Sequence, residues 1–114
     1  MLTTLLDDYR GPPPITRSEL ERLFLDLCHE AGLPRPQTNI LVEGYEVDAA
    51  WLDHRLIVEL DSHGYHGTRA AFEDDRERDS VLQAAGYRVI RITHRRMEAA
   101  PGEVVQLLRA LLSS

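Results

Sequence analysis

Two short segments, EVDAAWL at 46–52 and RLIVELD at 55–61, flank the dipeptide Asp53-His54. A two-residue connection between strand-like runs implies a β-hairpin, and the turn fixes its register: Leu52 meets Arg55 and every other opposed pair follows. One face then collects Val47 with Leu60, Ala49 with Val58 and Trp51 with Leu56, an apolar surface for a core. The other sets Glu46 against Asp61, Asp48 against Glu59 and Ala50 against Ile57. Four carboxylates are therefore expected on one patch, with opposed Cβ atoms roughly 4.5 to 5.5 Å apart. Like charges placed directly opposite destabilise a sheet by on the order of 0.2–1 kcal/mol. Such a patch is either solvated or neutralised. Clustered oxygen ligands that leave room for water suit Mg²⁺, which is commonly held by one or two carboxylates plus substrate phosphates.

The remaining segments say what the hairpin packs against. From Thr16 the chain reads TRSELERLFLDLCHEAG, with Leu20, Leu23, Phe24, Leu27, Cys28 and Ala31 at the spacing of one helical face. Thr16 with Glu19 and Ser18 with Glu21 both match the capping-box spacing, and Gly32 followed by Pro34 ends the helix. A further strand is expected at 39–43, a polar helix at 68–85 stopped by Gly86, a β-branched strand at 87–93, and a closing helix at 102–112 whose Val104, Val105, Leu108, Leu111 and Leu112 share a face. The order α-β-β-β-α-β-α describes an α/β sandwich with a mixed sheet. The 114 residues fit one domain. Residues 1–14 end in GPPP and read as a linker or N-terminal extension, with the domain over 15–114.

With 43% apolar and 28% charged residues the composition is that of a globular protein. No apolar run approaches the roughly 20 residues of a spanning helix, and the N-terminus lacks the basic and apolar regions of a signal peptide, so a cytoplasmic location with no membrane partner is expected. The lone Cys28 has no disulfide partner and lies on the apolar stripe of the first helix, as a buried inert thiol would. A net charge of −6 argues by itself against a phosphate-rich partner. Its distribution argues otherwise: residues 1–68 carry 12 acids and 5 arginines, residues 69–96 carry 5 acids and 7 arginines. Arg78, Arg88, Arg95 and Arg96 are expected to form a solvated basic strip. All thirteen basic residues are arginine, which removes lysine from any mechanism.

Glu21 on the first helix, Asp48 in VDAAW, Glu59-Leu60-Asp61 in LIVELD, then DRERD, AAG and YRVIRIT resemble, in order and spacing, a bacterial endonuclease-related family similar to very-short-patch mismatch endonucleases, a branch of the PD-(D/E)XK superfamily. The resemblance runs from about Thr16 to the C-terminus. It implies a restriction-endonuclease-like three-layer sandwich and cleavage of DNA phosphodiesters with Mg²⁺, for which Mn²⁺ can substitute. It also implies Asp48 and Glu59 as metal ligands and Glu21 as a helper from the first helix. Asp61 stands where the superfamily usually carries lysine, and an aspartate cannot stabilise developing negative charge. A positive charge or a proton must then come from His63 or His66 in SHGYHG, or from Arg76 or Arg91. The two histidines lack the further Cys or His ligands of a zinc site. Asp75, Arg76, Asp79 and Leu82 fall on one face of the polar helix, as either an ion network or a phosphate contact. The alternative function is a catalytically inactive nuclease-fold module with a DNA-binding or regulatory role. Relatives of the family follow winged-helix or toxin/antitoxin-type segments, and the GPPP linker suits that arrangement.

Overall fold

Thr16 opens the first helix, α1 (Arg17–Glu30), and does so through a complete capping box. Its Oγ1 accepts the Glu19 N–H at 3.1 Å, while Glu19 Oε1 accepts the Thr16 N–H at 2.9 Å. Of the two boxes the sequence offers, this one forms, which leaves Glu21 available for a contact outside the helix. Thr16→Ala is expected to lower stability by about 1 kcal/mol in urea unfolding, with Ser18→Ala within about 0.5 kcal/mol of wild type. The helix ends where Gly32 takes φ 73°, and the Leu33 N–H closes on the Cys28 carbonyl at 2.9 Å.

The computed structural model describes residues 15–62 and 69–114. The GPPP linker, the start of the polar helix at Thr68, His63 and His66 lie outside the described residues. Four strands, β1 (Gln37–Val42), β2 (Tyr45–Trp51), β3 (Leu56–Asp61) and β4 (Arg88–Thr93), form one sheet in the order β1-β2-β3-β4. The first three are antiparallel neighbours; β3 and β4 run parallel, joined through α2 (Arg69–Ala84). Two helices close the chain, α3 (His94–Ala99) and α4 (Pro101–Ser113). The short α3 was not expected. Thr93 caps it, its Oγ1 accepting the Arg96 N–H at 3.0 Å, and Met97 is buried beneath it. Among the described residues no helix is long and apolar enough to cross a membrane.

Helices cover both faces of the sheet, giving the three-layer sandwich. On one side Leu20, Phe24 and Cys28 of α1 and Val104 and Leu108 of α4 pack with Ala49, Trp51, Leu56, Val58 and Ile92. Trp51 stands edge-on to Phe24 and donates its indole N–H to the Pro34 carbonyl. On the other side Leu82 of α2 packs with Val42, Val47, Ala50 and Ile57.

Trp51 pairs with Leu56, Ala50 with Ile57 and Ala49 with Val58, the expected register. The turn differs: a 3₁₀ turn at Leu52–His54 plus Arg55 at φ 51° replaces the two-residue connection without shifting a strand. The larger departure lies at Asp48. Strict alternation would put Val47 with Ala49 and Asp48 with Ala50. Instead Val47 joins Ala50 in the α2-side core, while Ala49 packs on the α1 side. The β1–β2 ladder pairs Thr38 with Ala49 and Ile40 with Val47 but not Asn39 with Asp48. Asn39 there has φ 52°, a left-handed conformation that asparagine tolerates better than most residues. The alternation of β2 slips at this point, and Asp48 turns toward α1.

Candidate functional site

The slip brings Asp48 into a hollow of about 20 Å³ lined by Arg17, Leu20 and Glu21 of α1, Asn39 of β1, and Leu60 of β3. That volume exceeds the roughly 10–15 Å³ one water requires. Asp48 Oδ2 accepts the Leu60 backbone N–H at 2.7 Å and Oδ1 pairs with Arg17 Nη2 at 2.9 Å. Asn39 Nδ2 donates to Glu21 Oε1 at 2.7 Å. Two carboxylates far apart in sequence thus face one hollow, each with an oxygen fixed by an N–H donor. Among the described residues that line the hollow a single guanidinium, that of Arg17, opposes these two carboxylates.

Glu59 is elsewhere, and this corrects the expected four-carboxylate patch. Its neighbours Val58 and Leu60 pack on the α1 side, so its own side chain enters the α2 layer. There it is 7% exposed and bound through Oε1 to Arg78 Nη2 and Arg91 Nη2, both at 3.0 Å. Arg91 also lies 3.9 Å from Asp61 and 3.8 Å from Asp75, and Arg78 lies 3.5 Å from Asp75. Burial pushes the Glu59 carboxyl up to about 7; Arg78 and Arg91 oppose the shift, and neighbouring Asp79 adds to it. Glu59 Oε2, Asp79 Oδ1 and the donor Arg78 Nε are buried without a hydrogen-bond partner, Arg78 Nε standing 3.9 Å from Asp79 Oδ1; one proton held between the two carboxyls would satisfy both acceptors.

Four expected arginine positions change for related reasons. Helix spacing sets Asp75, Arg78, Asp79 and Leu82 on the inward face of α2, so Arg78 takes the network place expected for Arg76, which is exposed. Arg91, expected at substrate, is engaged by Glu59. Arg88 leaves the basic strip to donate to the His54 carbonyl and Ser114 Oγ, both at 2.8 Å. Arg95 and Arg96 remain exposed on α3.

Sequence reasoning missed Arg17 and Asn39. Asn39 carried a signal, since an asparagine inside a strand invites a break in the ladder. Arg17 at a helix start read as ordinary surface charge.

The donor set can be weighed against the cation that the fold implies. Among the described residues no three His, Cys, Asp or Glu side chains converge as a metal cage. Two carboxylates on a water-sized hollow fit Mg²⁺, which keeps waters and shares substrate oxygens, better than a cation needing four protein ligands. Glu59, held by Arg78 and Arg91 in the α2 layer, is not among the residues that line this hollow with Asp48.

A model of the REase_MTES_1575 family, restriction-endonuclease-like domains, matches residues 21–112. In three dimensions the chain is similar to the catalytic domain of the homing endonuclease I-Bth0305I, with a TM-score of 0.65 and 23% identity over 80% of this chain and 90% of that one. At that identity the likeness speaks to the fold. No curated protein matches the chain in sequence.

Proposed function

The chain belongs to the REase_MTES_1575 family of restriction-endonuclease-like domains, and from that premise we propose that it is a metal-dependent endonuclease hydrolysing DNA phosphodiester bonds at the hollow between α1 and the β-sheet. One observation carries the reading: the alternation of β2 is broken at Asp48, and the break delivers that carboxylate to Glu21 across 27 residues of sequence. Asp48 and Glu21 are the residues that would hold the cation, Mg²⁺ or Mn²⁺ in its place. When bound, a divalent ion supplies Lewis-acid stabilisation of the charge developing on the phosphoryl group. The Leu60 N–H and the Asn39 amide fix one oxygen of each carboxylate and so orient the pair.

The other parts follow from position in the chain. His66, shortly after β3, is assigned the proton transfers, with His63 beside it in sequence and Asp61 at the strand end. Glu59 is a positioning residue that ties β3 to α2 and β4 through Arg78 and Arg91. Arg95, Arg96 and Arg76 are exposed and are assigned to backbone phosphates, which position DNA without reading its sequence.

The test is nicking of supercoiled plasmid with Mg²⁺, with Mn²⁺ and with EDTA. Cleavage that needs either ion and stops in EDTA is expected. Cleavage that persists in EDTA would remove the metal from the mechanism. No cleavage of duplex, nicked, mismatched or single-stranded DNA under any condition would favour the inactive nuclease-fold module with a DNA-binding or regulatory role.

A further inference from the structure

We propose that Arg17 is the built-in counter-cation of the Asp48 hollow: it holds Asp48 while no divalent ion is bound, and turns to the substrate phosphate when an ion takes Asp48, supplying the charge that Asp61 cannot. The proposal rests on the endonuclease reading above and deepens it.

Three observations lead to Arg17. The first is contact: its Nη2 lies 2.9 Å from Asp48 Oδ1 in the hollow that Glu21 also lines. The second is exposure. The Arg17 side chain is 74% exposed against 24% for Asp48, so the guanidinium reaches in from the rim with its remaining donors toward solvent. Pairs this exposed shift an equilibrium by no more than about fivefold, and this one opens easily. The third is placement. Arg17 is the first residue of α1, directly after the Thr16 cap, where the positive end of the helix disfavours a cation. Helix stability therefore gives no reason for an arginine here, whereas Asp48 does.

Four other arginines are engaged away from the hollow. Arg78 and Arg91 hold Glu59, Arg88 holds the His54 carbonyl and Ser114, and Arg55 holds the carbonyls of Ala85 and Gly86 while lying 4.5 Å over the Tyr87 ring. Among the described residues lining the hollow, Arg17 is the cationic one. With a dication held by Asp48 and Glu21, the Arg17 guanidinium would lose its carboxylate partner, and a substrate phosphate would be the nearest anion to replace it. A guanidinium can meet two phosphoryl oxygens at once through its planar fork of donors. Displacement by metal and engagement of substrate are then one movement of one side chain.

The signature is two effects of opposite sign, read on the full chain. In Mn²⁺ titration calorimetry without DNA, Arg17→Ala should bind the ion about two- to fivefold more tightly than wild type, because the competing cation is gone. In plasmid cleavage at saturating Mn²⁺ the same variant should lose about a hundredfold in kcat, the scale of removing one donor from a developing oxyanion, and Arg17→Lys should recover part of it. Removing a purely structural arginine would also tighten metal binding but would leave kcat unchanged, so the pair of effects is the test. Unchanged or weaker Mn²⁺ binding by Arg17→Ala overturns the proposal, as does tighter binding with unchanged kcat. Asp48→Asn separates this failure from that of the reading beneath it. Wild-type Mn²⁺ binding that is lost in Asp48→Asn but indifferent to Arg17→Ala sinks only the role of Arg17. Wild type and Asp48→Asn that both fail to bind the ion sink the metal site and the proposal together.

Discussion

Asp48→Asn is expected to lower metal-dependent DNA cleavage by on the order of a thousandfold in kcat/KM, with the fold intact. The substitution is nearly isosteric. Its amide oxygen can still accept the Leu60 N–H, the bond that joins β2 to β3 at this point. What it removes is the charge facing the hollow and the pair with Arg17, and that exposed pair is worth at most about 1 kcal/mol of stability. A cation that stabilises phosphoryl charge supplies several kcal/mol to the transition state, and each 1.36 kcal/mol is about tenfold in rate. Glu59→Gln provides the contrast. Its side chain lies in the α2 layer, so it should retain cleavage within about tenfold of wild type, the loss coming from small shifts of β3 rather than from a missing ligand. Initial rates of plasmid nicking at saturating Mg²⁺ compare the three proteins. Equal losses in Asp48→Asn and Glu59→Gln would return Glu59 to the site beside Asp48.

The contrast shows where sequence reasoning holds and where it stops. Capping spacing, glycine stops and hydrophobic period are local, so α1, the strands and α4 were readable to within a few residues. The β2–β3 register also survived a misjudged turn, because the 3₁₀ turn with Arg55 in the left-handed region returns the chain in the same phase as a two-residue connection. Extrapolating that phase to Asp48 failed. The slip depends on Asn39 in a different strand, and a hairpin pattern contains no term for a neighbour on its far side. The Glu59 network was half legible. Charged residues on the inward face of α2 required partners, but whether Arg76 or Arg78 supplied one turned on a rotation of about 100° per residue that Leu82 settles by burial. Arg17 was not legible, since its partner lies 31 residues away and helix starts often carry charge.

The largest stability effects belong to Glu59, and they divide by substitution. Glu59→Ala leaves Arg78 and Arg91, whose side chains are 26% and 33% exposed, facing a space with no carboxylate. Breaking a buried ion pair from one side costs about 3–5 kcal/mol, and the partial exposure of both arginines places this case near about 3 kcal/mol. Glu59→Gln keeps an oxygen for the arginines, and its amide N–H offers Asp79 Oδ1 the donor that in wild type only a protonated Glu59 could supply. Its effect depends on pH. Burial raises the carboxyl from an ordinary 4.5 to about 7, so between those values the native state binds more protons than the unfolded chain. The contribution of the protonated group is therefore complete below about pH 4.5 and is lost as pH rises through about 7, with a slope of up to about 1.4 kcal/mol per pH unit. Glutamine mimics the neutral form at every pH. Relative to wild type, Glu59→Gln should then gain roughly 2–3 kcal/mol between pH 5 and pH 8, and it should become the more stable protein at the alkaline end. Urea unfolding of wild type, Glu59→Gln and Glu59→Ala at unit steps of pH measures both effects. A difference between Glu59→Gln and wild type that stays flat from pH 5 to pH 8 would mean that Arg78 and Arg91 outweigh burial and keep Glu59 ionised, in which case the two orphaned oxygens share no proton.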